Sequence, residues 1–238
     1  MRAIFLGFAA FLLLLPAAQQ SRATTPTQPT IEQLAAYPQY SGFTLSPDGT
    51  HIAALRGDGE ERVIAVWKTD ALDKAPNLIG SAKMKINGVS FINNDRLAVL
   101  LSQPHDLRSD RVTKHFLSKL MITDLQGKEW KEPMPQDRAS SRSEELMQAL
   151  SNPTVLDRLP NDPNHILVVN NVGSNAGDVY KVNLSTFKAE RIQISEDKVA
   201  GYVTDLDGSL RARLKQSVDD RGAYVSAEFR NAGGQWEE

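Results

Sequence analysis

The chain has 238 residues, with 27 Lys and Arg against 29 Asp and Glu, a net charge of −2 and no cysteine. Charge this balanced and interspersed argues against a nucleic-acid partner, whose binders present a basic face. Without cysteine there can be no disulfide, thiolate metal site or thiol nucleophile, so packing alone must hold the fold, which suits a bacterial exported protein better than a small disulfide-stapled one.

Met1-Arg2 precedes an uncharged, apolar-biased run from Ala3 to Leu15 that Pro16 ends. The run is shorter than the roughly 20 residues a spanning helix needs, and it fits the apolar region of a signal peptide. Ser21-Arg22-Ala23 sets small residues at the −3 and −1 positions, which predicts cleavage before Thr24, with Ala18 as the rival site. An uncleaved membrane anchor is the competing explanation. No second stretch is long enough to span, so a soluble mature chain that is secreted or periplasmic is expected, with 215 residues after cleavage at the first site.

Residues 24–40 read as a spacer and a short helix: "TTPTQP" is polar and extended, then Thr30 and Gln33 have capping-box spacing ahead of "IEQLAAY", with Pro38 ending the helix. Strand signals follow. In "FTLSPDGTHIAALR" (43–56), two apolar runs flank Ser46-Pro47-Asp48-Gly49. There proline pre-sets the backbone, aspartate bonds back to nearby amides and glycine accepts a positive φ. Val63–Trp67, after Gly57-Asp58-Gly59, makes a third strand, and Asn77–Gly80 a short fourth.

The same grammar recurs in "INGVSFINNDRLAVLLSQ" and "HFLSKLMITDLQGKEWKEP", in "VLDRLPNDPNHILVVNNV" and "DVYKVNLSTFKAERIQI", and in "VAGYVTDLDGSLRARLKQ" and "GAYVSAEFRNAGGQWEE". Four units of four strands result, at about 41–81, 85–133, 154–194 and 199–238. Turn centres fall near Asp48, Asn94, Asp162 and Asp207, about 46, 68 and 45 residues apart. The long middle interval holds an insertion at about 140–151, in which Ser141 and Glu144 form a capping box at the head of a predicted surface helix. Four-stranded units at this period are the mark of β-propeller blades, so an all-β, partial β-propeller of about four blades over 41–238 is expected. Accidental spacing of hairpins in a β-sandwich is the alternative. Blade faces at the two ends of such an arc would be exposed, which predicts self-association.

No catalytic, cofactor-binding or metal-binding residue is assigned. Gly173-Ser174-Asn175-Ala176-Gly177 has its serine out of register for a nucleophile elbow and reads as a hairpin loop. His51, His105, His115 and His165 fall in different units without metal-ligand spacing. Asp205-Leu206-Asp207-Gly208 opens like a calcium loop, but Gln216 stands where the twelfth-position glutamate belongs, so turn chemistry explains the acids better. Asn183-Leu184-Ser185 is a formal glycosylation sequon, without meaning in a bacterial chain. Arg108-Ser109-Asp110-Arg111 reads as a solvent-facing loop, and Trp67, Trp130 and Trp236 as blade-packing residues.

The stretch "YSGFTLSPDGTHIAALRGDGEERVIAVWKTDAL" resembles the start of the propeller in bacterial secreted peptidases of the prolyl oligopeptidase family, in particular the dipeptidyl-peptidase and acylaminoacyl-peptidase-like members. Phe91 to Leu97 matches that family's second-blade phrase, an aromatic residue followed three positions on by Asp-Arg-Leu. Ser-Pro-Asp-Gly also occurs in Tol-system periplasmic propellers. The resemblance, over about residues 31–238, implies a propeller of seven or eight blades that gates substrate access to a C-terminal α/β-hydrolase domain. That domain carries the serine peptidase triad, and none of the triad maps onto this sequence. The chain is therefore expected to be non-catalytic and to resemble a peptidase truncated before its hydrolase domain. The expected partners are a hydrolase domain or chain, or peptides. A periplasmic binding or scaffold propeller, or one chain of a split peptidase, is the alternative.

Overall fold

The computed structural model describes residues 28, 30–36, 38–57, 61–106, 114–134, 141, 151–172 and 176–238. One unit, Met1–Ala36, contains the helix α1 (Ile31–Ala35), whose Leu34 N–H donates to the Thr30 carbonyl at 3.0 Å. The other unit, Tyr37–Glu238, is built of strands.

Its first sheet is an antiparallel meander of β1 (Tyr40–Leu45), β2 (His51–Gly57), β3 (Arg62–Lys68) and β4 (Asn77–Ile79). The second comprises β5 (Lys85–Phe91), β6 (Arg96–Asp106), β7 (Lys114–Asp124) and β8 (Trp130–Lys131). The third runs through β9 (Ser151–Asp157), β10 (His165–Val172), β11 (Val179–Asn183) and β12 (Ala189–Gln193), and the fourth through β13 (Val199–Thr204), β14 (Leu210–Asp219), β15 (Gly222–Arg230) and β16 (Trp236–Glu237). In every sheet each strand pairs with its sequence neighbours, the order of a propeller blade. The molecule has an all-β fold of four blades.

The predicted turns are the observed ones. Gly49 (φ 72°) and Gly208 (φ 78°) close the first hairpins of blades 1 and 4 with N–H groups donated to Ser46 and Asp205 carbonyls at 2.9 and 3.0 Å. The third blade differs from expectation at its start: β9 begins at Ser151, inside the expected insertion, and carries Pro153. β9 is the edge strand of its sheet, where proline's missing N–H breaks no ladder. The predicted surface helix lies outside the described residues.

Three seams join the blades. Ala53, Leu55, Ile64 and Ile79 of blade 1 meet Ile86, Phe91, Leu97 and Val99 of blade 2. Ala98, Leu120 and Ile122 of blade 2 meet Ile166, Val168 and Val182 of blade 3. Leu159, Leu167 and Val179 of blade 3 meet Val199, Tyr202 and Leu210 of blade 4. Two-faced burial is what forces stacking, since an isolated blade would expose one apolar side.

A polar device repeats along the seams. The Asp48 N–H donates to Asn94 Oδ1 at 3.1 Å, Asn93 Nδ2 to the Pro163 carbonyl at 3.0 Å, and Asn161 Nδ2 to Asp207 Oδ1 at 3.2 Å. Each bond links the first turn of one blade to the first turn of the next. Elsewhere glycine permits close approach: a Cβ on Gly208 would sit 2.0 Å from Leu159 Cδ2, and one on Gly127 would sit 2.5 Å from Ile79 Cγ2.

Candidate functional site

The largest concavity is an open cleft of about 710 Å³ between blades 2 and 3. One wall carries Gly88 and Ser90 of β5, Ala98 and Leu100 of β6, and Leu120 of β7; the other carries Pro153 to Asp157 of β9, followed by Arg158. Register explains the gap. Gly88 pairs with Leu100, which pairs with Leu120, and Ser90 pairs with Ala98, which pairs with Ile122. The inner corner of this face therefore bears Gly, Ser and Ala, too short to reach blade 3, while Leu120 and Ile122 farther out close the seam.

Polar groups enter this mostly aliphatic cleft at a few points. Thr154 Oγ1 accepts from Asn171 Nδ2 at 3.2 Å. Both Asp157 oxygens are occupied, Oδ1 by the Leu159 N–H at 2.8 Å and Oδ2 by the Thr204 hydroxyl at 2.5 Å. Arg158 is exposed and forms no ion pair among the described residues. A few polar groups over an apolar lining, in a volume of a few hundred Å³ or more, is the make-up of a binding site.

The groups weighed from sequence are placed as follows. His165 Nδ1 lies 2.9 Å from Asp162 Oδ1, and Lys181 Nζ lies 2.9 Å from Asp162 Oδ2. The His165 bond, then that of Lys181, hold the Asp162 carboxyl below its ordinary range. The far ring nitrogen of His165 faces Asn183 Nδ2 at 3.1 Å, which fixes the proton on Nδ1 and leaves no free base. Asn183 Oδ1 accepts from the Ser185 and Thr186 N–H groups at 3.0 and 2.9 Å, so the sequon asparagine is committed to a turn. Asp205 receives the Asp207 and Ser209 N–H groups on Oδ1 and Arg211 Nε on Oδ2 at 2.6 Å. The Arg211 bond is the main cause of its lowered pKa, so the calcium-like sequence is a turn.

His105 and His115 correct the sequence reading: they are opposed in register on β6 and β7 of one blade, not in separate units. Spacing along the chain concealed this, because a hairpin of unknown reach lies between them. Among the described residues, no three His, Asp or Glu groups converge to hold a metal ion. Ser174 and the loop from Arg108 to Arg111 lie outside the described residues.

The tryptophans pack as expected. Trp67 meets Tyr40 edge-on at 5.4 Å, Trp130 Nε1 donates to the Gly127 carbonyl at 3.0 Å, and Trp236 lies against the third seam. Beside Trp236 sits a charge cluster that sequence did not indicate. Arg213 is 5% exposed, with Cζ 4.8 Å from the Trp236 ring, Nη1 2.6 Å from Glu196 Oε1 and Nε 2.5 Å from Glu228 Oε2. Burial works against the Arg213 charge, but the two carboxylates outweigh it and raise its pKa. This is an ion cluster closing the third seam, and no cavity opens onto it among the described residues. The cleft residues Gly88, Ser90 and Ala98 were likewise missed; three small residues on one face of adjoining strands were the signal.

No family model and no curated protein matches the sequence. Among solved structures, the chain is similar to TolB from Acinetobacter baumannii at 12% identity, over 83% of this chain and 42% of that one, with a TM-score of 0.47. It is similar to the acylaminoacyl peptidase of Pyrococcus horikoshii at 15% identity, over 84% of this chain and 32% of that one, TM-score 0.47. An oligogalacturonate lyase from Vibrio parahaemolyticus matches at 12% identity, over 82% and 55%, TM-score 0.48. The chain spans from 31% to 61% of the length of such neighbours.

Proposed function

We propose that this chain is an exported, non-catalytic propeller module that receives an extended polypeptide in the cleft between blades 2 and 3. This is the role of the substrate-gating propeller that its sequence resembles in secreted prolyl oligopeptidase-family peptidases. The observation that carries the reading is the cleft itself: about 710 Å³, lined by edge strands β5 and β9, where apolar side chains of a ligand would replace those that Gly88, Ser90 and Ala98 do not supply. Edge strands offer main-chain groups to an extended chain, and alternate pockets take its side chains. The acyl-transfer chemistry belongs to a hydrolase domain or chain acting with this module.

Fluorescence anisotropy with labelled, unstructured apolar peptides tests the proposal. Binding to the full chain should weaken at least roughly tenfold in Ser90→Phe, which fills the cleft. Equal binding by the variant, or no binding by either protein, would refute it.

A further inference from the structure

Blade 4 presents an apolar face with nothing against it among the described residues, and its register repeats that of a face that is covered. In blade 2, Ser90, Ala98 and Ile122 form one row and Gly88, Leu100 and Leu120 the next. In blade 4 the corresponding rows are Val203, Ala212 and Phe229, then Gly201, Leu214 and Ala227. Ile122 is fully buried against blade 3, whereas its counterpart Phe229 is 60% exposed, and Val203 and Leu214 are 48% and 40% exposed. Val225 and Val218 extend the same apolar surface.

Blade 1 shows the complementary half. Blade 2 meets blade 1 with Phe91 and Leu97, a paired row that is fully buried. The equivalent row of blade 1 is Leu45 and Ile52 with Trp67, and Leu45 is 54% exposed. Leu78, paired with Ala65 on this face, is 48% exposed and helps Arg56 and Val63 line a hollow of about 300 Å³. Charge is complementary as well: Arg56 forms no ion pair among the described residues, while Glu237 stands beside Phe229 in the register of blade 4.

We infer that the free face of blade 4 docks on the free face of blade 1 in a second copy of the chain. The occupant follows from the repeat. Each chain carries one half-seam of each kind, built by the rule that forms its three internal seams, so a second copy satisfies both ends at once. Two such contacts give a closed pair of eight blades, within the range of about 4 to 8 found in closed propellers. A partner offering only one half-seam would leave an apolar face in water.

Size-exclusion chromatography with light scattering on the full chain, over a concentration series, tests this. The account expects a dimer of twice 26.2 kDa that does not grow further. Phe229→Asp and Leu45→Asp alter residues already exposed in the single chain, so both should keep the unfolding curve of the parent while weakening dimerisation at least roughly tenfold. A mixture of the two variants keeps one intact seam and should recover dimer. A strict monomer, open-ended oligomers, or a dimer indifferent to both substitutions would overturn the inference.

Discussion

The turns of blades 1 and 4 provide a matched pair of substitutions that isolates the worth of one seam contact. Gly49 and Gly208 occupy the same position of equivalent turns, with φ of 72° and 78°. Alanine at either site meets the left-handed backbone penalty, about 1–2 kcal/mol, and gains the same unfolded-state entropy. The two sites differ in what the new methyl touches. At Gly49 nothing lies within 4 Å, whereas at Gly208 it would meet Leu159 Cδ2 at 2.0 Å, and Leu159 is 5% exposed within the third seam. Displacing a packed core side chain costs about 1–3 kcal/mol. Gly208→Ala should therefore destabilise by that much more than Gly49→Ala. Urea unfolding followed by tryptophan fluorescence measures the difference, since Trp236 packs at the same seam. Equal losses, within about 0.5 kcal/mol, would refute the contact between blades 3 and 4.

Other expectations follow from the same structure. Ile122→Ala, which empties a fully buried position in the second seam, should cost about 2–5 kcal/mol in the same assay. Asp162 and Asp205 have folded-state pKa values below the unfolded value of about 3.9. Their contribution is therefore complete above that value and is lost as pH falls through the folded pKa; the urea midpoint should drop between about pH 6 and pH 3, and Asp162→Asn should reduce the drop. Removing one partner from the cluster at the third seam by Glu228→Ala should destabilise by about 1–3 kcal/mol, since it strips one of two carboxylates from the buried Arg213. The purified chain should neither hydrolyse peptidyl or ester reporters nor be labelled by a serine-reactive fluorophosphonate, because acyl transfer needs an activated nucleophile; labelling at a serine would contradict this.

The blades were legible because each reversal uses residues whose backbone preferences are local. Ser46-Pro47-Asp48-Gly49 and Asp205-Leu206-Asp207-Gly208 announce tight turns wherever they occur, and apolar runs between them supply the strands. The start of β9 was less legible, since Pro153 argues against a strand unless the strand is known to be an edge. Features made by juxtaposition were not legible at all. Asn93, Asn94 and Asn161 look like ordinary turn residues, and their bonds to neighbouring blades depend on stacking. Arg213 lies in a polar-looking stretch, and only the approach of Glu196, Glu228 and Trp236 buries it. The cleft has the same origin: Gly88, Ser90 and Ala98 are unremarkable in sequence and become a cavity wall only when register places them together.

A crystal structure of the chain tests the central claim most directly. The account predicts four separate four-stranded antiparallel sheets stacked in chain order, with Asn93 Nδ2 bonded to the Pro163 carbonyl and Asn161 Nδ2 to Asp207. Two sheets packed face to face, with Ile122 and Ile166 in one continuous sandwich core and no bonds between successive turns, would contradict it.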